Sequence, residues 1–283
     1  MPIEKRGDPN MNRCDLSNYI EQRLQDNKER LHREFFTRER INSCVLDDVL
    51  PSDIAEDIYQ AFPPEEELVL KKSLREFKYI GVQMNRYKPL LEEIVYAFQD
   101  VRVVTLLSEI TGIESLMPDE NLYAGGVSMM VKGHYLNPHL DNSHDRDRTN
   151  YRVLNLLYYV TPNWKEACGG NLELWDNGLR QKNRVINSQF NRLVVMATHR
   201  SSWHSVNPVL EGSRRCCISN YYFSPVPLDM QDYFHVTSFR GRPGQTVTDL
   251  ALQTDILLRN GIRKVFQKGI IENPHVYKKD LSK

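Results

Sequence analysis

Residues 191–223 read NRLVVMATHRSSWHSVNPVLEGSRRCCISNYYF. Two apolar runs, Asn191–Ala197 and Cys216–Phe223, flank a stretch rich in Ser and Arg. Both runs are short and carry Val, Ile, Met, Tyr or Phe, the composition of strands bounded by turns. The same texture appears upstream in Gly126–Val131, Val153–Val160 and Gly170–Trp175. Short strands with frequent turns across 120–227 predict an antiparallel sandwich or barrel. The flanks are helical in pattern. Leu16–Arg38 is rich in helix formers, Ser52–Phe62 places Ile54, Ala55, Ile58, Ala61 and Phe62 at helical spacing, and Leu90–Ile113 has a broad apolar face with Gly112 as its stop. Leu74–Asn85 is open to a strand. Thr246-Val-Thr-Asp249 resembles a capping box and opens a helix to about Phe266. Val247, Leu250, Ala251, Leu257 and Leu258 are expected on its packed face. The reading is a single α+β domain over 1–283, with mainly helical support in 1–119, a β-core in 120–227 and a helical extension in 228–283.

The 283 residues carry 37 Lys+Arg and 37 Asp+Glu, a zero balance that argues against a nucleic-acid partner. No apolar run approaches a membrane span, and the charged first residues contain no signal-peptide stretch. The five cysteines (Cys14, Cys44, Cys168, Cys216 and Cys217) are odd in number, scattered and without C-x-x-C spacing. They read as free thiols in a reducing cytoplasm. A cytoplasmic protein with no membrane partner is expected, and oligomeric state is left open.

The chemistry centres on His139-Leu140-Asp141, the one H-x-D in the chain. Residues i and i+2 of a strand share a face, so an imidazole and a carboxylate can converge on one metal ion. His199 and His204, after the Asn191–Ala197 strand, are the candidates for a third ligand. Two His and one carboxylate with open positions form the facial triad of non-haem Fe(II) oxygenases, whereas zinc would more often take Cys or a third His. Arg214 and Arg215 lead into the last strand, where an inward guanidinium can hold a carboxylate in a fork. The face of Arg215 carries Cys217, Ser219, Tyr221 and Phe223; that of Arg214 carries Cys216, Ile218, Asn220 and Tyr222. Small residues followed by aromatics suit a pocket floor, which favours Arg215 and leaves Arg214 as the alternative. Asn155, Leu157 and Tyr159 share one face of their strand. His144 lies in a polar loop whose Arg146 or Arg148 could meet an anionic substrate, and Trp175 and Trp203 are candidate pocket walls. His199, His235 and His275 otherwise read as structural, and Arg240 and Arg242 as a basic loop.

Residues 122–224 resemble the 2-oxoglutarate- and Fe(II)-dependent dioxygenases, in particular the prolyl-4-hydroxylase-like branch. The order His139-Leu-Asp141, Arg152 to Tyr159 with Trp164, Gly169-Gly-Asn-Leu172, Asn191-Arg-Leu-Val194, His204-Ser-Val-Asn-Pro208 and Arg215 to Phe223 carries the resemblance. It implies a double-stranded β-helix (jelly roll) and a need for Fe(II), 2-oxoglutarate and O2. It implies His139, Asp141 and His204 as metal ligands, with Arg215 and Tyr159 holding the distal carboxylate of 2-oxoglutarate. Many relatives carry Tyr where this chain has Met130. Asp141 stands where the family's halogenases carry a small residue, so the resemblance implies hydroxylation. The expected reaction hydroxylates an aliphatic C–H of a small molecule and decarboxylates 2-oxoglutarate to succinate and CO2. The alternatives are a protein prolyl hydroxylase, or a non-catalytic jelly-roll module that binds iron and 2-oxoglutarate.

Overall fold

The computed structural model describes residues 11–123, 125–265 and 276–278. The expected helix end at Phe266 and His275 lie outside the described residues.

The chain begins with α1 (Arg13–Phe35), whose Asn12 side chain accepts from the backbone N–H of Cys14 and Asp15 while Asp15 reaches back, a complete capping box. Leu16, Ile20, Leu24, Leu31 and Phe35 form its buried stripe. Then come β1 (Ser43–Asp47), α2 (Ser52–Ala61), β2 (Val69–Lys72) and β3 (Glu76–Gly81). The apolar pattern over Leu90–Ile113 resolves into two helices, α3 (Pro89–Ala97) and α4 (Val101–Thr111). Asp100 interrupts it, because its carboxylate accepts from the backbone of Arg102 and starts a new helix. The periodicity survives the break because both helices bury their apolar residues in the same core.

The remaining strands are β4 (Met117–Pro118), β5 (Gly126–Met130), β6 (Tyr135–Leu140), β7 (Tyr151–Tyr159), β8 (Leu172–Leu174), β9 (Arg184–Ile186), β10 (Arg192–Ala197), β11 (His204–Val206), β12 (Arg215–Ser224) and β13 (Ser238–Phe239), followed by α5 (Thr246–Val265). All pair antiparallel in the order β1-β10-β7-β12-β5-β3-β6-β11-β8-β9, with β13 on β6. β3 joins β5 to β6, and residues of β7 and β12 on one side and of β6 and β11 on the other line one cavity, so the curled sheet's two halves face each other. This is the double-stranded β-helix of an α+β fold. The segment 1–119, read as mainly helical, also supplies β1, β2, β3 and β4 to this sheet. Leu74–Asn85 does contain a strand, β3, whereas no expectation covers β1.

Alternation along β7 and β12 separates two environments. Leu154, Leu156, Tyr158, Ile218 and Tyr222 point outward into a core shared with α1, α3 and α4. Tyr222 donates to the carbonyl of Phe98 at 2.7 Å, tying β12 to the end of α3. Asn155, Leu157, Arg215, Cys217, Ser219 and Tyr221 point inward and line a cavity. The helices thus brace one face while the other stays open for chemistry.

α5 departs from expectation. Val247, Leu250, Leu257 and Leu258, read as its packed face, are 82%, 67%, 73% and 64% exposed, and Leu252 is buried instead. The capping signal marks where a helix starts but not which side meets the body. α5 makes ion pairs to the body through Asp249 with Arg240 and Asp255 with Arg75.

Gly169 fixes the loop before β8. Its φ is +72°, and a Cβ there would stand 2.1 Å from the carbonyl oxygen of Pro208. Trp164 Nε1 donates to its carbonyl at 2.9 Å. Gly169→Ala is therefore expected to destabilise the protein by about 2–3 kcal/mol. A denaturant midpoint shift under about 0.5 kcal/mol would show that the loop yields.

Candidate active site

His139 is near the end of β6, and His204 starts β11; the two are directly opposed in the β-ladder. Their rings lie 4.0 Å apart, centroid to centroid. Asp141 follows β6 by one residue, and the i, i+2 relation brings its carboxylate to the same side. Its Oδ1 lies 3.6 Å from His139 Nε2 and its Oδ2 3.7 Å from His204 Nε2. The candidate ligand atoms all lie within 4.8 Å of one another.

The arrangement fits a metal ion. Nδ1 of His139 faces the carbonyl of Asn137 at 3.0 Å, and Nδ1 of His204 faces that of Ser202 at 3.0 Å. A carbonyl accepts only from a protonated nitrogen, so each ring carries a proton on Nδ1 and turns Nε2 toward Asp141, the way histidines that bind a metal through Nε2 are held. Asp141 Oδ2 is buried without a hydrogen-bond partner. Burial would raise the Asp141 carboxyl, but the adjacent His204, His139 and Arg152 hold it well below the usual carboxylate range. Burial, with His139 beside it, pushes His204 down to about 4 against the pull of Asp141. At neutral pH the cluster therefore offers a carboxylate and a neutral imidazole at His204, the forms a cation needs. His199 is set on a turn away from the cluster, and its Nδ1 accepts from the backbone of Ser201.

Arg215 opens β12 on the cavity side, only 3% exposed. Its guanidinium lies 4.6 Å above the Tyr159 ring, its Nε donates to Ser188 Oγ at 3.3 Å and its Nη1 to Met130 Sδ at 3.6 Å. The Tyr159 hydroxyl is buried and unpartnered. Burial raises this phenol well above its usual value, with Arg215 opposing, so it remains a donor at neutral pH. Arg214 turns the other way, over the Tyr59 ring at 4.8 Å. Ser188, which no motif marked, is fully buried and donates to the carbonyl of Gly170.

The cavity measures about 660 Å³. Asn155 lines it, and its Oδ1 has no partner. His144, read as part of a solvated loop, is buried and also lines it. Arg146, Arg148, Trp175 and Trp203 are not among the lining residues; Trp175 instead donates to Ser205 Oγ. Arg240 and Arg242, read as a basic loop, are half-buried and ion-paired. Arg240 pairs with Asp249, while Arg242 pairs with Glu173 and donates to the carbonyl of Val206 at 2.8 Å. They draw β13 over the site, where the Phe239 ring stacks on His139 at 5.0 Å. Sequence gave no signal for this, because a two-residue strand has no pattern.

Comparison with known proteins agrees with the geometry. Residues 125–223 match the family described as the 2OG-Fe(II) oxygenase superfamily. A prolyl 4-hydroxylase from Phytophthora capsici aligns with TM-score 0.51 and 17% identity, covering 89% of this chain and 78% of that one. A prolyl-4-hydroxylase from Pseudomonas putida aligns with TM-score 0.50 and 15% identity, covering 72% and 98%. A prolyl hydroxylase from Trichoplax adhaerens, in complex with a hypoxia inducible factor oxygen degradation domain peptide fragment, gives 0.47 and 20%, covering 75% and 90%. A search of curated proteins found no match.

Proposed function

We propose, for a 2-oxoglutarate-dependent dioxygenase whose residues 125–223 match the 2OG-Fe(II) oxygenase superfamily, that the reaction is hydroxylation of an aliphatic C–H in a small molecule. The observation that carries this is the pair of opposed imidazoles with free Nε2 atoms around the unpartnered Asp141 oxygen, in one cavity with a buried arginine. His139, Asp141 and His204 would hold Fe(II), and Arg215 and Tyr159 would hold the distal carboxylate of 2-oxoglutarate. Bound there, Fe(II) with 2-oxoglutarate and O2 supplies the oxidising power for hydroxylation, while 2-oxoglutarate is converted to succinate and CO2.

The chain's own work is positioning. The carbonyls of Asn137 and Ser202 fix both imidazole tautomers, and the Phe239 ring stacks on His139. Arg215 lines the cavity and offers donors to one end of a dicarboxylate, and the buried Tyr159 phenol beneath it, outside the lining, would add a second donor. A cavity of about 660 Å³ is of the size that encloses a metabolite, which supports a small substrate over a protein one. We read 1–283 as one domain, since strands from both flanks complete the sheet.

No helix among the described residues is long and apolar enough to cross a membrane. All five cysteines are unpaired; the cytoplasmic setting is our reading of their odd number and scattered spacing.

The test is direct. Protein loaded anaerobically with Fe(II) and 2-oxoglutarate is expected to show the visible absorbance of the ternary complex, and a metabolite pool with O2 should stimulate succinate formation at least about tenfold. Absence of both would overturn the proposal.

A further inference from the structure

The cavity before His139, Asp141 and His204 is strongly cationic in a chain whose charges balance at 37 of each sign. Lys71, Arg75 and Lys78 of the β2–β3 hairpin line one wall, and Arg152 of β7 lines the floor. Two of the three hairpin cations are countered, and Glu76 lines the same wall. Lys78 pairs with Glu76 at 3.2 Å, and Arg75 pairs with Asp255. Lys71 has no carboxylate within ion-pair distance among the described residues.

Arg152 is the more telling group. Its side chain is 1% exposed, and the carboxylate in ion-pair range is Asp141, at 3.9 Å and already facing two imidazoles. Asp119 feels its charge without forming an ion pair. One Nη donates to the carbonyl of Tyr123 at 3.2 Å, and Nε is buried with no partner. The guanidinium lies 3.9 Å above the Tyr221 ring and 5.7 Å from that of Phe223, so its plane is fixed. A buried cation with an unsatisfied edge is costly unless an anion completes it. Tyr221 stands six residues beyond Arg215 on β12, about 20 Å along a strand. The two guanidiniums therefore serve different ends of the cavity, and 2-oxoglutarate at Arg215 leaves Arg152 free for the substrate.

We propose that the substrate is a small molecule bearing a carboxylate or phosphate group, held by Arg152 and drawn in by the cationic wall of Lys71, Arg75 and Lys78. The inference rests on the oxygenase reading above. A planar guanidinium clamped over aromatic rings presents a fork that matches either anion, and the hairpin cations raise its local concentration.

The experiment uses the protein loaded with Fe(II) and 2-oxoglutarate. A metabolite pool is split on an anion-exchange resin at neutral pH, and succinate formation is followed with each fraction. Stimulation is expected from the retained fraction; survival of phosphatase treatment would identify a carboxylate, and loss a phosphate. Arg152→Gln should lower that stimulation about a hundredfold while the anaerobic absorbance of the iron–2-oxoglutarate complex persists. Arg152→Lys should recover only part of it. Lys71→Gln, at a partly exposed site, should lower kcat/KM about threefold at low salt and little at high salt. Stimulation from the unretained fraction, or none from the retained one while the absorbance forms, would overturn the proposal. Loss of the absorbance in the parent protein would instead sink the oxygenase reading and this inference with it.

Discussion

Asp141→Ala is expected to abolish iron-dependent succinate formation, by at least about a thousandfold, and so are His139→Ala and His204→Ala. The reason is geometric. Three donors, from β6, the residue after it and β11, converge within 4.8 Å, and each contributes one atom. Removing Asp141 leaves two neutral donors and no anionic one, so the divalent cation loses both a bond and its local charge compensation. Removing either histidine leaves a partner that cannot swing into the gap, because its Nδ1 is tied to a backbone carbonyl. Metal content after dialysis and the metal-induced rise in Tm should be lost together with activity, while far-UV circular dichroism is unchanged. His199→Ala should keep both. If His204→Ala retained metal and turnover while His199→Ala lost them, the ligand assignment would be wrong.

Much of this site was legible in the sequence because the chemistry follows strand phase. The His139-Leu-Asp141 spacing puts two donors on one face. The alternation from Arg215 through Cys217 and Ser219 to Tyr221 separates the cavity side from the core side. Contacts made by chain segments distant in sequence were not legible. Ser188 reaches Arg215 from a loop with no pattern, Phe239 reaches His139 from a two-residue strand, and Arg242 reaches Glu173 across the molecule. A local pattern reports the phase of its own element and says nothing of what folds onto it. The same limit explains α5, whose start was readable from its capping residues while its buried side was not. Arg152 shows an intermediate case. Strict alternation from Asn155 would send it outward, but the ladder between β12 and β7 shifts register between Tyr222 and Phe223 and admits it to the cavity.

Arg215→Met is expected to raise the 2-oxoglutarate requirement about a hundredfold, whereas Arg214→Met should change it less than about threefold. Arg215 is buried, and its partners are Ser188 Oγ, Met130 Sδ and the face of the Tyr159 ring, none of them charged. A guanidinium so placed is a burden on the ligand-free fold, since a hydroxyl and a thioether compensate little of its lost hydration. A dicarboxylate would complete it, with the Tyr159 phenol as a second donor. The two halves of this argument make opposite predictions for one variant. Arg215→Met, similar in length and apolar, should weaken 2-oxoglutarate binding while leaving the ligand-free Tm equal to or above that of the parent. Tyr159→Phe should weaken binding less, by about tenfold, because it removes one hydrogen bond and keeps the charge. Anaerobic titration with 2-oxoglutarate, followed by the absorbance of the iron complex, measures the affinities, and thermal unfolding without ligand measures the burden. Unchanged 2-oxoglutarate affinity in Arg215→Met would remove it from the binding site. A fall in ligand-free Tm by several degrees would assign Arg215 a structural role in holding β12 to Ser188, just after β9.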